Sequence, residues 1–266
     1  MKRILTFILT LTLALSFCVN SFAAATTATA SETQTGTSEA QTDTSKTQAG
    51  TSEAQTDTSK VQAGASYGIS NLSGAPDIVA ESAVVMDANT GTILYGKEAD
   101  TKRYPASITK VMTALLAVEN CKMSDVITYS NAAVNGIEAG SSTAGINVGA
   151  KLTVEDSLYA LMLVSANEAA AAIAEHISGS TTEFAKLMTK RAKELGCTNT
   201  QFKNPHGLPN EEHYTTAHDM GLILKEAMKH EEFRKISGTI SYTLKKSDTL
   251  KDTLELWNHA KILREN

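Results

Sequence analysis

The chain has 266 residues, 42% of them apolar and 20% charged, with a formal net charge of −5. That length allows one large domain or two small ones, and the composition is ordinary for a globular protein. The acidic balance removes the electrostatic case for a nucleic-acid partner.

Residues 1–23 read as a signal peptide. Lys2 and Arg3 precede an apolar run from Ile4 to Phe17, and Ser21-Phe22-Ala23 places small residues where a signal peptidase reads. The run is short for a transmembrane helix. Leu15-Ser16-Phe17-Cys18 has the outline of a lipoprotein box, but the bulk of Phe17 beside the cysteine argues against lipidation. Export is the expectation, which places the chain outside the cytoplasm, at the cell wall or the outer face of the cytoplasmic membrane. Loss of the leader removes no acid and two bases, taking the formal charge from −5 to −7. Cys121 and Cys197 then remain, too few for a disulfide framework, and read as free core thiols.

Residues 24–76 are rich in Thr, Ser and Gln, and Thr33–Lys46 is repeated almost residue for residue in Thr47–Lys60. These two 14-residue copies contain no aromatic, Leu, Ile or Val, so burial cannot offset the entropy of ordering them. They read as a disordered linker. Gly64-Ala65-Ser66-Tyr67-Gly68 matches a nucleophile-elbow string, but no strand enters it and no helix leaves it.

Residues 77–266 carry the folded domain. Ser82–Asp87 and Gly91–Tyr95 are short β-like runs around a turn, the pattern of a hairpin. Ile108, Val111, Met112, Leu115 and Leu116 recur at helical spacing, and Pro105 stands just ahead, so a helix is expected from near Ser107. Ser107 and Lys110 share one flank of it, above the small residues Thr113, Ala114 and Ala117. A lysine dried by such surroundings loses proton affinity and can take the proton of a neighbouring hydroxyl. The helix start adds N–H groups and a positive dipole end where an oxyanion would form. A Ser-x-x-Lys string alone is a weak signal.

Asn131 to Gly149 is a polar, glycine-rich passage containing Gly140-Ser141-Ser142, and reads as surface loop. Thr153-Val154-Glu155-Asp156 is a capping box opening a helix. That helix meets an alanine-rich one, from Ala169 to about His176, through Val164-Ser165-Ala166-Asn167-Glu168. Ser165 and Asn167 at this junction either cap the two helix ends or serve a site, and pattern alone leaves both open. Thr182 is expected to cap a helix over 183–195 stopped by Gly196, and Thr216 another running to about His230. Phe202–Leu208 is turn-rich. Thr239–Leu244 is β-like, and Thr253–Asn266 carries no clear pattern. His206, His213 and His218 lack any metal-binding spacing, so neither metal nor cofactor is expected.

Five separated segments, in order, now carry a resemblance: Tyr104–Lys110, Gly140–Ser142, Leu158–Asn167, Asn204–Leu208 and His213–Met220. Together they resemble the serine D-alanyl-D-alanine carboxypeptidases, the low-molecular-mass penicillin-binding proteins. The resemblance implies an α+β, β-lactamase/D,D-peptidase-like fold, an antiparallel sheet packed on a helical cluster. It implies Ser107 as acylated nucleophile and Lys110 as its base. Ser165 would relay a proton, and Asn167 would hold substrate or position the lysine. The implied partners are peptidoglycan stem peptides ending in D-Ala-D-Ala, and β-lactams. One departure stands out: no Lys-Thr-Gly follows the Ser-x-Asn element, and Lys235-Ile236-Ser237-Gly238 is in the wrong place for it. The domain is therefore expected to be C-terminally truncated, its last sheet strands missing and the hairpin edge exposed. Membrane contact would come only from an uncleaved signal or a missing C-terminal anchor. The alternative is a catalytically impaired penicillin-binding or cell-wall-binding module.

Overall fold

The structure is a computed structural model and describes residues 78–264. The signal peptide, the repeat linker and the Gly64–Gly68 string lie outside the described residues. The chain runs β1 (Ala83–Met86), β2 (Ile93–Lys97), a 3-10 turn (Ala106–Thr109), α1 (Lys110–Asn120), β3 (Val126–Thr128) and α2 (Asn131–Asn135). It continues through β4 (Lys151–Thr153), α3 (Val154–Leu163), α4 (Asn167–Ser178), α5 (Thr181–Glu194), α6 (Ala217–Ala227) and α7 (Glu231–Ser237). It closes with β5 (Ser241–Leu244), β6 (Leu254–Trp257) and α8 (Lys261–Arg264).

The first hairpin forms where expected. Asp87 shapes its turn, Oδ1 accepting from the N–H groups of Asn89 and Thr90, and a bulge falls between Val85 and Met86. Its inner face packs on α6, where a β-carbon on Gly221 would already lie 3.1 Å from Val84 and 3.2 Å from Met86. Val85 and Leu94 on the other face are about two-fifths exposed, at 43% and 41%. Among the described residues the strands form three antiparallel pairs, β1-β2, β3-β4 and β5-β6, and no larger sheet. β1-β2 packs on α6, β3-β4 on α3 and α4, and β5-β6 on α3. In β5, Tyr242 stacks on Tyr159 of α3 with centroids 3.7 Å apart and donates its hydroxyl to Asp156.

The helices make one core. Met112, Leu115 and Leu116 of α1, Leu158 and Leu161 of α3, Ile173 of α4, and Phe184 and Met188 of α5 are almost fully buried. Each large side chain so buried contributes about 1.5–3 kcal/mol. Every residue of α4 from Asn167 to Ala174 is buried, and its alanines let α1, α2, α3 and α5 close around it.

Helix ends differ from the sequence reading in three places. Ser180, not Thr182, caps α5: its hydroxyl accepts from Glu183 N–H, completing a Ser-x-x-Glu pattern that starts two residues earlier. The helix opened by Thr216 stops at Ala227, because His230 begins a separate short helix, α7. The chain enters α1 through a 3-10 turn, so Ser107 sits in the turn and Lys110 begins the α-helix. The Thr153 box forms in full, with Asp156 as its reciprocal partner. Lys235–Gly238 ends α7, with Lys235 paired to Glu155, which agrees with setting it aside as a third motif. Cys197 is a buried free thiol and Cys121 a half-buried one. Among the described residues no helix is long and apolar enough to cross a membrane.

Candidate active site

Lys110 is 3% exposed, on the turn of α1 above buried Thr113, Ala114 and Ala117. Its Nζ donates to Ser107 Oγ at 3.3 Å and to the carbonyl oxygen of His206 at 2.8 Å. Loss of hydration brings the amine down from 10.5 to about 7, against the pull of the Glu168 carboxylate in the other direction. At neutral pH a large share of the molecules therefore hold a free amine against the serine hydroxyl. That hydroxyl is half-buried and follows Ala106, which sits at φ +49. A non-glycine residue held there stores strain, as residues beside reactive groups often do.

The loop over 204–208 closes this end of α1, a role the sequence pattern did not reveal. Asn204 makes its turn, Oδ1 accepting from the N–H groups of His206 (3.3 Å) and Gly207 (2.7 Å) and Nδ2 donating to Leu208 O (2.9 Å). Two rungs then fasten it to α1, and a third joins the turn before α1 to His213 further along the chain. Thr113 Oγ1 donates to Pro205 O at 2.6 Å, Lys110 to His206 O, and Thr109 Oγ1 meets His213 Nε2 at 2.9 Å. His213 Nδ1 accepts from Lys203 N–H at 3.1 Å, so Nε2 carries the ring proton and donates to Thr109. Burial holds both His206 and His213 down at about 4, so both rings are neutral at pH 7. His218 stands apart, its Nδ1 3.0 Å from Asp100.

Ser165 and Asn167 lie between α3 and α4, both of which pack on α1. The capping alternative fails for Ser165: the C-cap of α3 is Val164, the N-cap of α4 is Ala166, and the buried Ser165 Oγ has no partner among the described residues. Ser165 is also at φ +59. A strained residue carrying an unsatisfied buried hydroxyl costs stability on two counts. Asn167 is 3% exposed, and its N–H donates to Ser142 O at 3.0 Å. The Gly140-Ser141-Ser142 passage, read from sequence as plain surface loop, is thus fastened to the start of α4.

Ser107 follows the strained Ala106 and has a dried lysine one turn on, a pairing in which the amine can take the hydroxyl proton. Comparison with protein families matches residues 70–266 to the D-alanyl-D-alanine carboxypeptidase family, peptidase S11. The chain belongs to that family.

Two relatives illustrate the match within the D-alanyl-D-alanine carboxypeptidase family. The D-alanyl-D-alanine carboxypeptidase DacF of Bacillus subtilis is 44% identical over 165 residues, covering 60% of this chain and 42% of that protein. The D-alanyl-D-alanine carboxypeptidase of Streptomyces sp. strain K15 is 35% identical over 197 residues, 70% of this chain and 67% of that one. Among solved structures, the Streptomyces K15 DD-transpeptidase superposes with a TM-score of 0.65 at 34% identity, over 71% of this chain and 77% of its own. Penicillin binding protein 5 from Haemophilus influenzae gives 0.64 at 31% identity, over 72% and 55%. The fold is that of the D,D-peptidases. The chain spans about two-fifths of the length of several curated relatives it matches, 42% of DacF and 40% of the Escherichia coli DacA protein.

Proposed function

We propose that this chain is a serine-type D-alanyl-D-alanine carboxypeptidase, removing the terminal D-Ala from peptidoglycan stem pentapeptides through an acyl-enzyme on Ser107. The observation that carries this reading is Lys110, buried to 3% exposure, brought down to about 7 and 3.3 Å from the Ser107 hydroxyl. Ser107 Oγ attacks the carbonyl carbon of the penultimate D-Ala while its proton passes to the Lys110 amine. The positive dipole end of the helix start favours the oxyanion. Collapse of the tetrahedral species breaks the peptide bond, and the proton held by Lys110 goes through Ser165 to the departing D-Ala amine. Asn167 orients the substrate amide or the lysine. Water then cleaves the ester by the same route in reverse. β-Lactams present a strained amide to the same serine and are expected to acylate it.

Residues 1–23 are proposed to export the chain and 24–76 to act as a spacer ahead of the 77–266 domain, which puts the site at the wall. Labelling by a fluorescent penicillin, abolished by Ser107→Ala, together with D-Ala release from a pentapeptide ending in D-Ala-D-Ala, tests the proposal. Absence of labelling at Ser107 would sink it. Labelling without D-Ala release would favour the impaired penicillin-binding module instead, the reading motivated by the lack of Lys-Thr-Gly between Asn167 and Asn266.

A further inference from the structure

Glu168 stands in the first turn of α4 and is 1% exposed. Its Oε1 accepts from Thr143 Oγ1 (2.7 Å) and from three successive backbone N–H groups, Ala144 (2.7 Å), Gly145 (3.1 Å) and Ile146 (3.4 Å). Gly145, at φ +82, lets the chain curl so that these amides converge on one oxygen. With Asn167 N–H bound to Ser142 O, the loop is held from both sides of one helical turn. The other carboxylate oxygen, Oε2, is buried and has no partner among the described residues.

An ionised carboxylate so deeply placed needs compensation, because removing it from water costs several kcal/mol. Thr143 Oγ1 and the loop amides supply it to Oε1 alone, since Oε2 has no partner among the described residues. No direct ion pair joins Glu168 to Lys110, whose hydrogen bonds go to Ser107 and His206. Their coupling acts through the low-dielectric interior. We propose that Glu168 is a positioning residue that fastens the 142–146 loop against α4 and stands as the buried countercharge to Lys110, whose helix packs on α4.

The other groups facing this pair leave that role to Glu168. His206, from the loop over α1, is neutral. The phenol of Tyr129, which follows β3, is buried and pushed up, chiefly by burial, and donates to Ser157 of α3 at 3.0 Å. Asp156 of α3 is occupied by the Thr153 cap and the Tyr242 hydroxyl. The bearing on catalysis rests on the proposed serine chemistry, whereas the clamp and the charge coupling do not.

The test uses the wild-type chain, Glu168→Gln, Glu168→Ala and Thr143→Val. It reads hydrogen exchange at the Ala144, Gly145 and Ile146 amides, and the titration of Lys110 by 13C-lysine NMR. Glu168→Gln keeps an oxygen acceptor but no charge, so the loop amides stay protected and the Lys110 midpoint falls. Glu168→Ala exposes those amides by about tenfold or more, the loss expected for hydrogen bonds to a charged acceptor. Thr143→Val leaves the Lys110 midpoint in place, and it and the Gln variant keep the question decidable if the Ala variant does not fold. Unchanged protection in Glu168→Ala, or an unmoved or raised Lys110 midpoint in Glu168→Gln, would overturn the proposal. β-Lactam acylation is followed in parallel, and its acid limb is expected to shift with the Lys110 midpoint. A wild-type chain that is never acylated sinks the serine chemistry, while the exchange and titration results still decide the role of Glu168.

Discussion

A β-carbon on Gly207 would collide with the carbonyl oxygen of Ala106, and Gly207 itself is at φ +87. Two independent reasons thus reserve this position for glycine, against the residue that precedes Ser107. Gly207→Ala must push the loop off the turn and take the His206 carbonyl away from Lys110. The expected cost is at least about 2 kcal/mol, from backbone strain and displaced packing together. Denaturant unfolding measures it, and penicillin acylation of the remaining folded protein should slow with it.

Lys110 sets a pH dependence of both rate and stability. Unfolded, it keeps its proton up to 10.5; folded, it releases it at about 7. Between those values the unfolded chain holds the extra proton, so this residue makes stability rise with pH across the window, and its burial penalty is complete below pH 7. Acylation should fall about tenfold per pH unit below 7, as the free amine is lost. Lys110→Met should abolish acylation yet stabilise the fold by a few kcal/mol near pH 6, with the gain fading toward pH 10. Equal stability of the two proteins at pH 6 would contradict the buried-amine account.

Ser165 offers a trade between fold and function. Replacing it with glycine removes the strained φ and the unsatisfied hydroxyl, less the extra chain entropy of glycine. The net expectation is a gain of about 1 kcal/mol, or about 2–4 °C in Tm for a domain of this size. Acylation should drop at the same time. A variant that loses stability would show that the hydroxyl has a partner in solution.

His206 and His213 make the protein acid-sensitive over a different range. Each is lowered from 6.5 to about 4, so the unfolded chain takes up protons between those values and stability is lost as pH falls from 6.5 toward 4. Protonating His213 Nδ1 also breaks its bond from Lys203 N–H. His213→Gln, neutral throughout, should flatten that slope by roughly half while leaving the Lys110 window unchanged. Urea midpoints at pH 4.5 and 6.5 provide the measurement.

Local chemistry was legible in the sequence wherever one short segment contained both the cause and its effect. The Thr153 box, the Asp87 turn and the Ser107–Lys110 flank all follow from residues within four positions of one another. Ser165 and Asn167 were visible as candidates, but whether they capped helices depended on backbone angles that pattern does not carry. The short strands β3 and β4 escaped because each has three residues, and their pairing joins segments some 25 positions apart. Glu168 went unnoticed for a similar reason. A glutamate in the first turn of a helix looks like ordinary dipole complementation, and only the fold brings the 143–146 amides to it. The His206 carbonyl carries no side-chain signal at all.

The fastening of α1 also makes the state of Lys110 depend on distant parts of the chain. The rungs from Thr113, Lys110 and Thr109 reach 92, 96 and 104 residues down the chain. Until the chain through residue 213 has docked, Lys110 is an ordinary, water-coated lysine. Contacts so distant in sequence form late, after the local helices. The lowered proton affinity of Lys110 is thereby a property of the completed tertiary structure and not of α1 alone.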